Sequence, residues 1–245
     1  IPMILYGVDL DTYDDPPLAV VSSLLRNMLV ASPGHRLISG DYAQVEARIV
    51  HWFAGEPWRD KEYERMAAST YNVPLEEVTP EQRQVGKNTT LGCGFQMGAR
   101  RFKSQFYEQT GIEIPDGLAE RAVQTFRETK PGIPHLWRDL EAAAIRAVET
   151  PGVVTSAGVA GNIRYVVRGP FLWCFLPSGR PLAYALPRVE PVVRVFVKVD
   201  RDGNETYERV ERIGLTYMGV HSKTGRWTRL NTYGGHLTEN VVQAT

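Results

Sequence analysis

Cysteine is scarce in this 245-residue chain: there are two, Cys93 and Cys174. They stand far apart, with no CxxC spacing and no histidine cluster beside them. That argues against a zinc site and a disulfide framework, and it fits a reducing compartment. Long apolar runs are also lacking. The longest, Phe171 to Leu176, is far too short to span a bilayer, so no membrane partner is expected. The chain opens Ile1-Pro2-Met3, without a basic region or a small-residue cleavage site, so no signal peptide is expected. Internal repeats and low-complexity segments are absent too. With no initiator methionine and a last residue, Thr245, inside a helical stretch, the chain reads as a fragment of a longer one.

Net charge is lacking as well: 28 basic residues balance 28 acidic ones. An even spread would disfavour nucleic acid. The spread is uneven. Asp9, Asp11, Asp14 and Asp15 crowd one end, whereas residues 81–103 hold Arg83, Lys87, Arg100, Arg101 and Lys103 against the single acid Glu81. A local positive surface suffices for a phosphate site, although charge alone fits a solvated helix face better.

What is present has an order. Residues 1–23 are acidic and without period, a lead-in segment. Residues 24–60 predict a short strand and then a helix. Residues 61–149 are mostly helical, with apolar spacings of three and four over Ala119 to Phe126 and Leu136 to Val148, broken at Pro131-Gly132. From about residue 150 strands are predicted at Ile163 to Arg168, Phe171 to Leu176, Val192 to Val199 and Tyr207 to Val220. Turns fall at Pro177-Ser178-Gly179 and Asp202-Gly203-Asn204, and helical character returns near Leu237. The expected class is α+β, with the helical block inserted between the two other parts.

Two segments carry candidate chemistry. In Leu37-Ile38-Ser39-Gly40-Asp41-Tyr42 the carboxylate of Asp41 ends the expected strand, and Val45, Ile49, Trp52 and Phe53 make a helical stripe that stops near Gly55. Asp41 and the Tyr42 carbonyl would suit a hard cation such as magnesium, with Glu46 facing the same space. Taken alone, an Asp before a helix more often caps it. The second segment starts with Thr79-Pro80-Glu81-Gln82, a capping box with proline in the first helical position. Arg83, Lys87, Leu91 and Phe95 then follow at four-residue spacing. Two cations one turn apart near a helix N-terminus suit a triphosphate, and Phe95 suits stacking on a base. Gly86, Gly92, Gly94 and Gly98 each cost about 1 kcal/mol in a helix, which implies close approach to a ligand or room to bend. Gly86-Lys87-Asn88-Thr89 is not a P-loop, because Glu81 and Asn88 stand where that motif needs Gly and Ser or Thr.

Together these segments resemble family A DNA polymerases. Asp41-Tyr42-Ala43-Gln44-Val45-Glu46-Ala47-Arg48 resembles that family's motif A, and Arg83-x3-Lys87-x3-Leu91-x3-Phe95 resembles its motif B. Leu176-Pro177-Ser178-Gly179-Arg180 and Thr232-Tyr233-Gly234-Gly235 are similar to segments of phage members. The resemblance implies a truncated right-hand architecture: a palm over residues 24–60 and 150–245, with helical fingers inserted at 61–149 and the motif B helix at about 80–98. It implies that Asp41 and the Tyr42 carbonyl hold Mg2+ and that Arg83 and Lys87 hold the triphosphate. Lys87 would also protonate the departing pyrophosphate. Tyr42, Gln44, Tyr63, Leu91 and Phe95 would line the deoxynucleoside triphosphate site, and Glu46 would exclude a ribose 2′ hydroxyl. Gln243 would lie near the minor groove of primer–template DNA, in the cytoplasm of a host or virus-infected cell.

Departures accompany the resemblance. Leu91 and Phe95 stand where aromatic residues, the second a Tyr, are usual. Gln96 replaces a Gly, and Tyr63 replaces a His. The second metal-anchoring carboxylate, which the family supplies in a His-Asp-Glu motif, is missing: none of His35, His51, His135, His221 or His236 is followed by Asp. Two close cations repel unless both are ligated, so the chain as given is expected to be inactive alone. A non-catalytic DNA- or nucleotide-binding module is the alternative. A single-subunit RNA polymerase is disfavoured by Glu46.

Overall fold

The computed structural model describes residues 25–115, 117–199 and 205–245, and the chain divides into two units, residues 1–43 and 44–245. The acidic lead-in and the Asp202-Gly203-Asn204 turn lie outside the described residues. In the first unit a short 3-10 helix, Leu25–Met28, is followed by irregular backbone. The strand expected before Asp41 is not formed. Leu37 and Ile38 are 64% and 95% exposed, and no ladder pairs them among the described residues. Strand backbone needs a neighbour for its N–H and C=O groups, and two consecutive apolar residues do not supply one.

The described residues of the second unit form seven α-helices and one sheet. The helices are α1 (Val45–Ala54), α2 (Glu62–Tyr71), α3 (Pro80–Gly94), α4 (Ala99–Thr110), α5 (Leu118–Thr129), α6 (Gly132–Glu149) and α7 (Gly234–Ala244). The strands are β1 (Thr155–Ala157), β2 (Ile163–Arg168), β3 (Phe171–Phe175), β4 (Pro181–Val199), β5 (Glu205–Val220) and β6 (Trp227–Thr232). They pair in sequence order, each antiparallel to the next. This is the expected α+β class.

Local chemistry sets several helix ends. The capping box forms: the Thr79 hydroxyl accepts the Gln82 N–H at 3.3 Å, and Gln82 Oε1 accepts the Thr79 N–H at 3.0 Å. Gly55 ends α1 in the left-handed region at φ 68°. The break at Pro131 separates α5 from α6, and the first N–H of α6, on Gly132, donates to Glu56 Oε1 at 2.6 Å. Helix α6 is central, because Leu136, Leu140, Ala143, Ala144 and Ala147 are buried between α1, α7 and the sheet. Ile163, Tyr165, Leu172, Cys174 and Leu215 supply the sheet's share of the core.

Three expectations need correction. The buried face of α1 runs through Ala47, Val50, His51 and Phe53, while Val45 and Trp52 are exposed, so the true stripe is rotated from the one expected. Strand β4 begins at Pro181, well before Val192. Prolines suggest a break there, but past a register shift between Ala185 and Arg188, β4 pairs with β5 alone, and an edge position tolerates proline. Helix α7 begins at Gly234, before Leu237, because side chains distant in sequence cap it, as described below. No helix among the described residues is long and apolar enough to cross a membrane.

Candidate functional site

Helices α2 and α3 pack unusually close, and glycine is the reason. A Cβ on Gly86 would stand 2.2 Å from the Tyr63 carbonyl oxygen and 2.8 Å from the Ala67 nitrogen. The close approach inferred from the glycines therefore serves a neighbouring helix at this position. Gly92 makes room for the Met97 side chain, and the Gly94 carbonyl accepts the Trp137 indole N–H at 2.8 Å. Gly98 lies outside α3, where it N-caps α4, so the motif B helix ends at Gly94 and Phe95 is its C-cap.

This contact builds a cluster of site residues. Tyr63 is 4% exposed, and the guanidinium of Arg83 lies over its ring, Cζ 5.7 Å from the centroid. Arg83 also donates its Nε–H to Glu64 Oε1 at 2.8 Å. Burial raises the Tyr63 phenol above its ordinary value; Arg83 and Arg48 pull it down and Glu46 pushes it up, so all three charges act on one ring. Burial also raises the Glu64 carboxyl, but the hydrogen bond from Arg83 and the charges of Arg83 and Lys61 outweigh it, and the net shift is downward. Arg48 itself lies over Trp58, 5.0 Å from the ring centroid.

Further along α3, Lys87, Leu91 and Phe95 are half-buried like Arg83. Leu91 borders a cleft of about 110 Å³ against α4, with Asn88, Met97 and Phe106. Phe95 packs on the main core. Just beyond it, Gln96 adopts φ 68°, a conformation rare outside glycine, and its Oε1 accepts the Gly235 N–H at 2.9 Å. Glu141 Oε2 accepts the Gly234 N–H at 3.0 Å. These two side chains cap α7. Neither Gly234 nor Gly235 could carry a Cβ, which would meet the Trp137 carbonyl oxygen at 2.1 Å or the Phe95 carbonyl oxygen at 2.5 Å. The end of α3 is thus strapped to the start of α7.

Beneath α2 lies a buried polar group. Glu62 and Lys130 form an ion pair, and His51 Nε2 stands 4.0 Å from Glu62 Oε1. All three residues are buried, and the His51 Nδ1 lies 2.8 Å from the Ala47 carbonyl oxygen. Burial, the largest influence, holds His51 below its ordinary value. Both cysteines are buried free thiols, and burial pushes each up to about 12, so neither is a ready nucleophile or metal ligand.

The remaining expected site residues fall elsewhere in the chain. Asp41 and Tyr42 are exposed, in irregular backbone of the first unit. Gln44 sits at the N-cap of α1 with φ 59°, and its side chain makes no capping hydrogen bond. Gln243, on the last turn of α7, donates weakly to Glu239 at 3.4 Å and borders a depression of about 370 Å³ with Arg180, Tyr184, Tyr217 and Asn240. Among the described residues no three His, Cys, Asp or Glu side chains converge as a metal site would. Asp41 and the Tyr42 carbonyl, adjacent hard oxygen donors, suit one hard cation shared with phosphate and water.

Two participants escaped the sequence reading. Glu64 had only its place beside Tyr63 to mark it. Gln96 was visible as a departure at a glycine position, with no hint of its partner.

Comparison with known proteins gives a consistent set of relatives. A family profile described as DNA polymerase family A matches residues 17–158. The chain is 36% identical over 239 residues to the DNA polymerase of Bacillus phage SP02, covering 92% of this chain and 33% of that protein. It is 29% identical over 151 residues to DNA polymerase I of Synechocystis sp., covering 59% of this chain and 14% of that protein. The POL domain of Pol1 from M. smegmatis, solved in complex with DNA primer-template and dNTP, is 23% identical over 47% of this chain and 20% of its own. Its TM-score of 0.32 is too low to support a structural inference. The chain spans about a third of the phage relative's length.

Proposed function

We propose, from the premise that this chain belongs to DNA polymerase family A, that it carries the nucleotide-handling part of an enzyme adding deoxynucleotides to a primer 3′ end. The observation that carries this reading is the cluster on α3: Arg83, oriented over Tyr63, with Lys87 one turn further on and Glu46 and Arg48 acting on the same ring. Residues 24–60 and 150–245 would form the palm and 61–149 the fingers, with 1–23 leading in. The partners would be primer–template DNA and deoxynucleoside triphosphates. The buried free thiols are compatible with a reducing cytoplasm, of a host or virus-infected cell, where we place its work.

The roles follow from the resemblance to the family, and the chemistry of each side chain suits the role it is given. Arg83 offers planar, multiply donating N–H groups and Lys87 a compact charge, and together they hold the triphosphate. Tyr63 supports Arg83 and contacts the same phosphates. Lys87 gives a proton to the leaving pyrophosphate. Glu46 crowds the sugar 2′ position, while Tyr42, Gln44, Leu91 and Phe95 bound the sugar and base. Gln243 faces the primer–template minor groove. Asp41 and the Tyr42 carbonyl would hold a divalent cation, Mg2+ by preference for hard oxygen donors. When bound, that cation supplies charge neutralisation at the transferring phosphoryl group. Two-metal transfer needs a second carboxylate, which the family supplies in a His-Asp-Glu motif; no His of this sequence is followed by Asp, so this chain alone is expected to bind nucleotide without extending a primer.

Calorimetric titration with dATP and Mg2+ tests the binding half. Arg83→Ala and Lys87→Ala should each weaken binding by about ten-fold, the loss of one charge-assisted contact. Unchanged affinity in both would refute it. Primer extension by the polymerase that contains this sequence tests the catalytic half: Asp41→Asn should abolish extension. Use of ATP as efficient as dATP would sink the deoxynucleotide reading.

A further inference from the structure

We propose that Glu64 is a positioning residue that holds Arg83 ready for the phosphates of an incoming nucleotide; this rests on reading α3 as a triphosphate site. Glu64 takes only the Nε–H of Arg83, at 2.8 Å. That bond uses one of the five guanidinium N–H donors; one terminal N–H lies parallel to it on the same edge, and the other three point away from Glu64. The Cζ of the same guanidinium lies over the Tyr63 ring, 5.7 Å from its centroid. A carboxylate that accepts from Nε and a ring beneath Cζ restrain this long side chain at two points.

The support for this pair is rigid. Glu64 and Tyr63 are neighbours on α2, and Tyr63 is buried with its carbonyl oxygen packed onto Gly86 of α3. The helix that presents Arg83 and the helix that orients it are therefore packed in close contact. The outer side stays open: the Arg83 and Glu64 side chains are 43% and 25% exposed, so an anion can reach the guanidinium from solvent. Arginine carries a large rotamer entropy, and a side chain already ordered loses less of it when a ligand arrives. The Glu64 charge opposes the ligand's own, but at this exposure solvent screens that repulsion, whereas the ordering gain is not screened.

The test uses inorganic tripolyphosphate and dATP, each with Mg2+, titrated into wild type, Glu64→Ala, Glu64→Gln, Arg83→Ala and the Glu64→Ala/Arg83→Ala double variant. Thermal unfolding reports whether each variant is folded. Glu64→Ala should weaken both probes about two- to ten-fold. Glu64→Gln, whose amide oxygen still accepts the Nε–H, should stay within about two-fold of wild type. In the Arg83→Ala background, Glu64→Ala should have no further effect. Unchanged or tighter binding by Glu64→Ala, with Arg83→Ala still weak, overturns the positioning role and leaves the triphosphate site standing. Equal loss in Glu64→Ala and Glu64→Gln also overturns it, because charge rather than hydrogen-bond geometry would then matter. Wild-type affinity in Arg83→Ala overturns both readings.

Discussion

Alanine is a better helix former than glycine, yet replacing Gly86 with alanine is expected to destabilise this protein. In an isolated helix the change would gain about 1 kcal/mol. In α3 the new Cβ would meet three atoms of α2: the Tyr63 carbonyl oxygen at 2.2 Å, the Ala67 nitrogen at 2.8 Å and the Ala67 Cβ at 3.0 Å. Two of these are backbone, so no side-chain rotation relieves the clash. Ordinary contact begins near 3.4 Å, and the helices would have to part by roughly 1 Å. Parting loosens Met66, Ala67 and Val85, all buried in the seam. Overpacking of this kind costs about 1–3 kcal/mol net. For a chain of this size that lowers Tm by roughly 2–4 °C per kcal/mol. Urea and thermal unfolding of Gly86→Ala against wild type give the measurement. A variant as stable as wild type, or more so, would refute the reasoning, since propensity would then outweigh the contact. The same displacement moves Tyr63 away from Arg83, so dATP binding should weaken alongside stability.

Gln96→Ala removes the cap on Gly235 and should cost about 1 kcal/mol, read by thermal unfolding. Gln96→Gly loses the same cap but relieves the left-handed backbone, so its midpoint should fall between those of Gln96→Ala and wild type. Lys130→Met leaves Glu62 buried without its cation and should cost about 3–5 kcal/mol in urea; adding Glu62→Leu should restore most of that loss. His51 is held below its ordinary value of 6.5, so the unfolded chain takes up the proton first. Its contribution is complete above about pH 6.5 and is lost as pH falls from there through the folded value. Unfolding free energy should therefore decline between pH 7.5 and 5.5, and less steeply in His51→Gln.

Features decided within a few residues were legible in the sequence. The Thr79–Gln82 capping box, the stop at Gly55 and the break at Pro131 depend on neighbours one helical turn away, and they form as read. The four-residue spacing of Arg83 and Lys87 put two cations on one side of a helix before any fold was known. The face of α1 was misread by a single step, because Val45 and Trp52 are apolar without being buried, and only packing distinguishes those conditions.

What the tertiary structure alone decided are the contacts between residues far apart in the chain. In sequence the helix glycines imply close approach to a ligand or room to bend; at Gly86 the close neighbour is the Tyr63 carbonyl. Arg83 meets Glu64 across 19 residues, and Gln96 meets Gly235 across 139. Past Ala185 strand β4 runs through Pro187 and Pro191 because, among the described residues, it pairs there with β5 alone, a fact of sheet order rather than of composition. Propensity and spacing act locally and can be read along the chain. Close approach, burial and distant caps depend on which surfaces meet, and that is settled only when the chain folds.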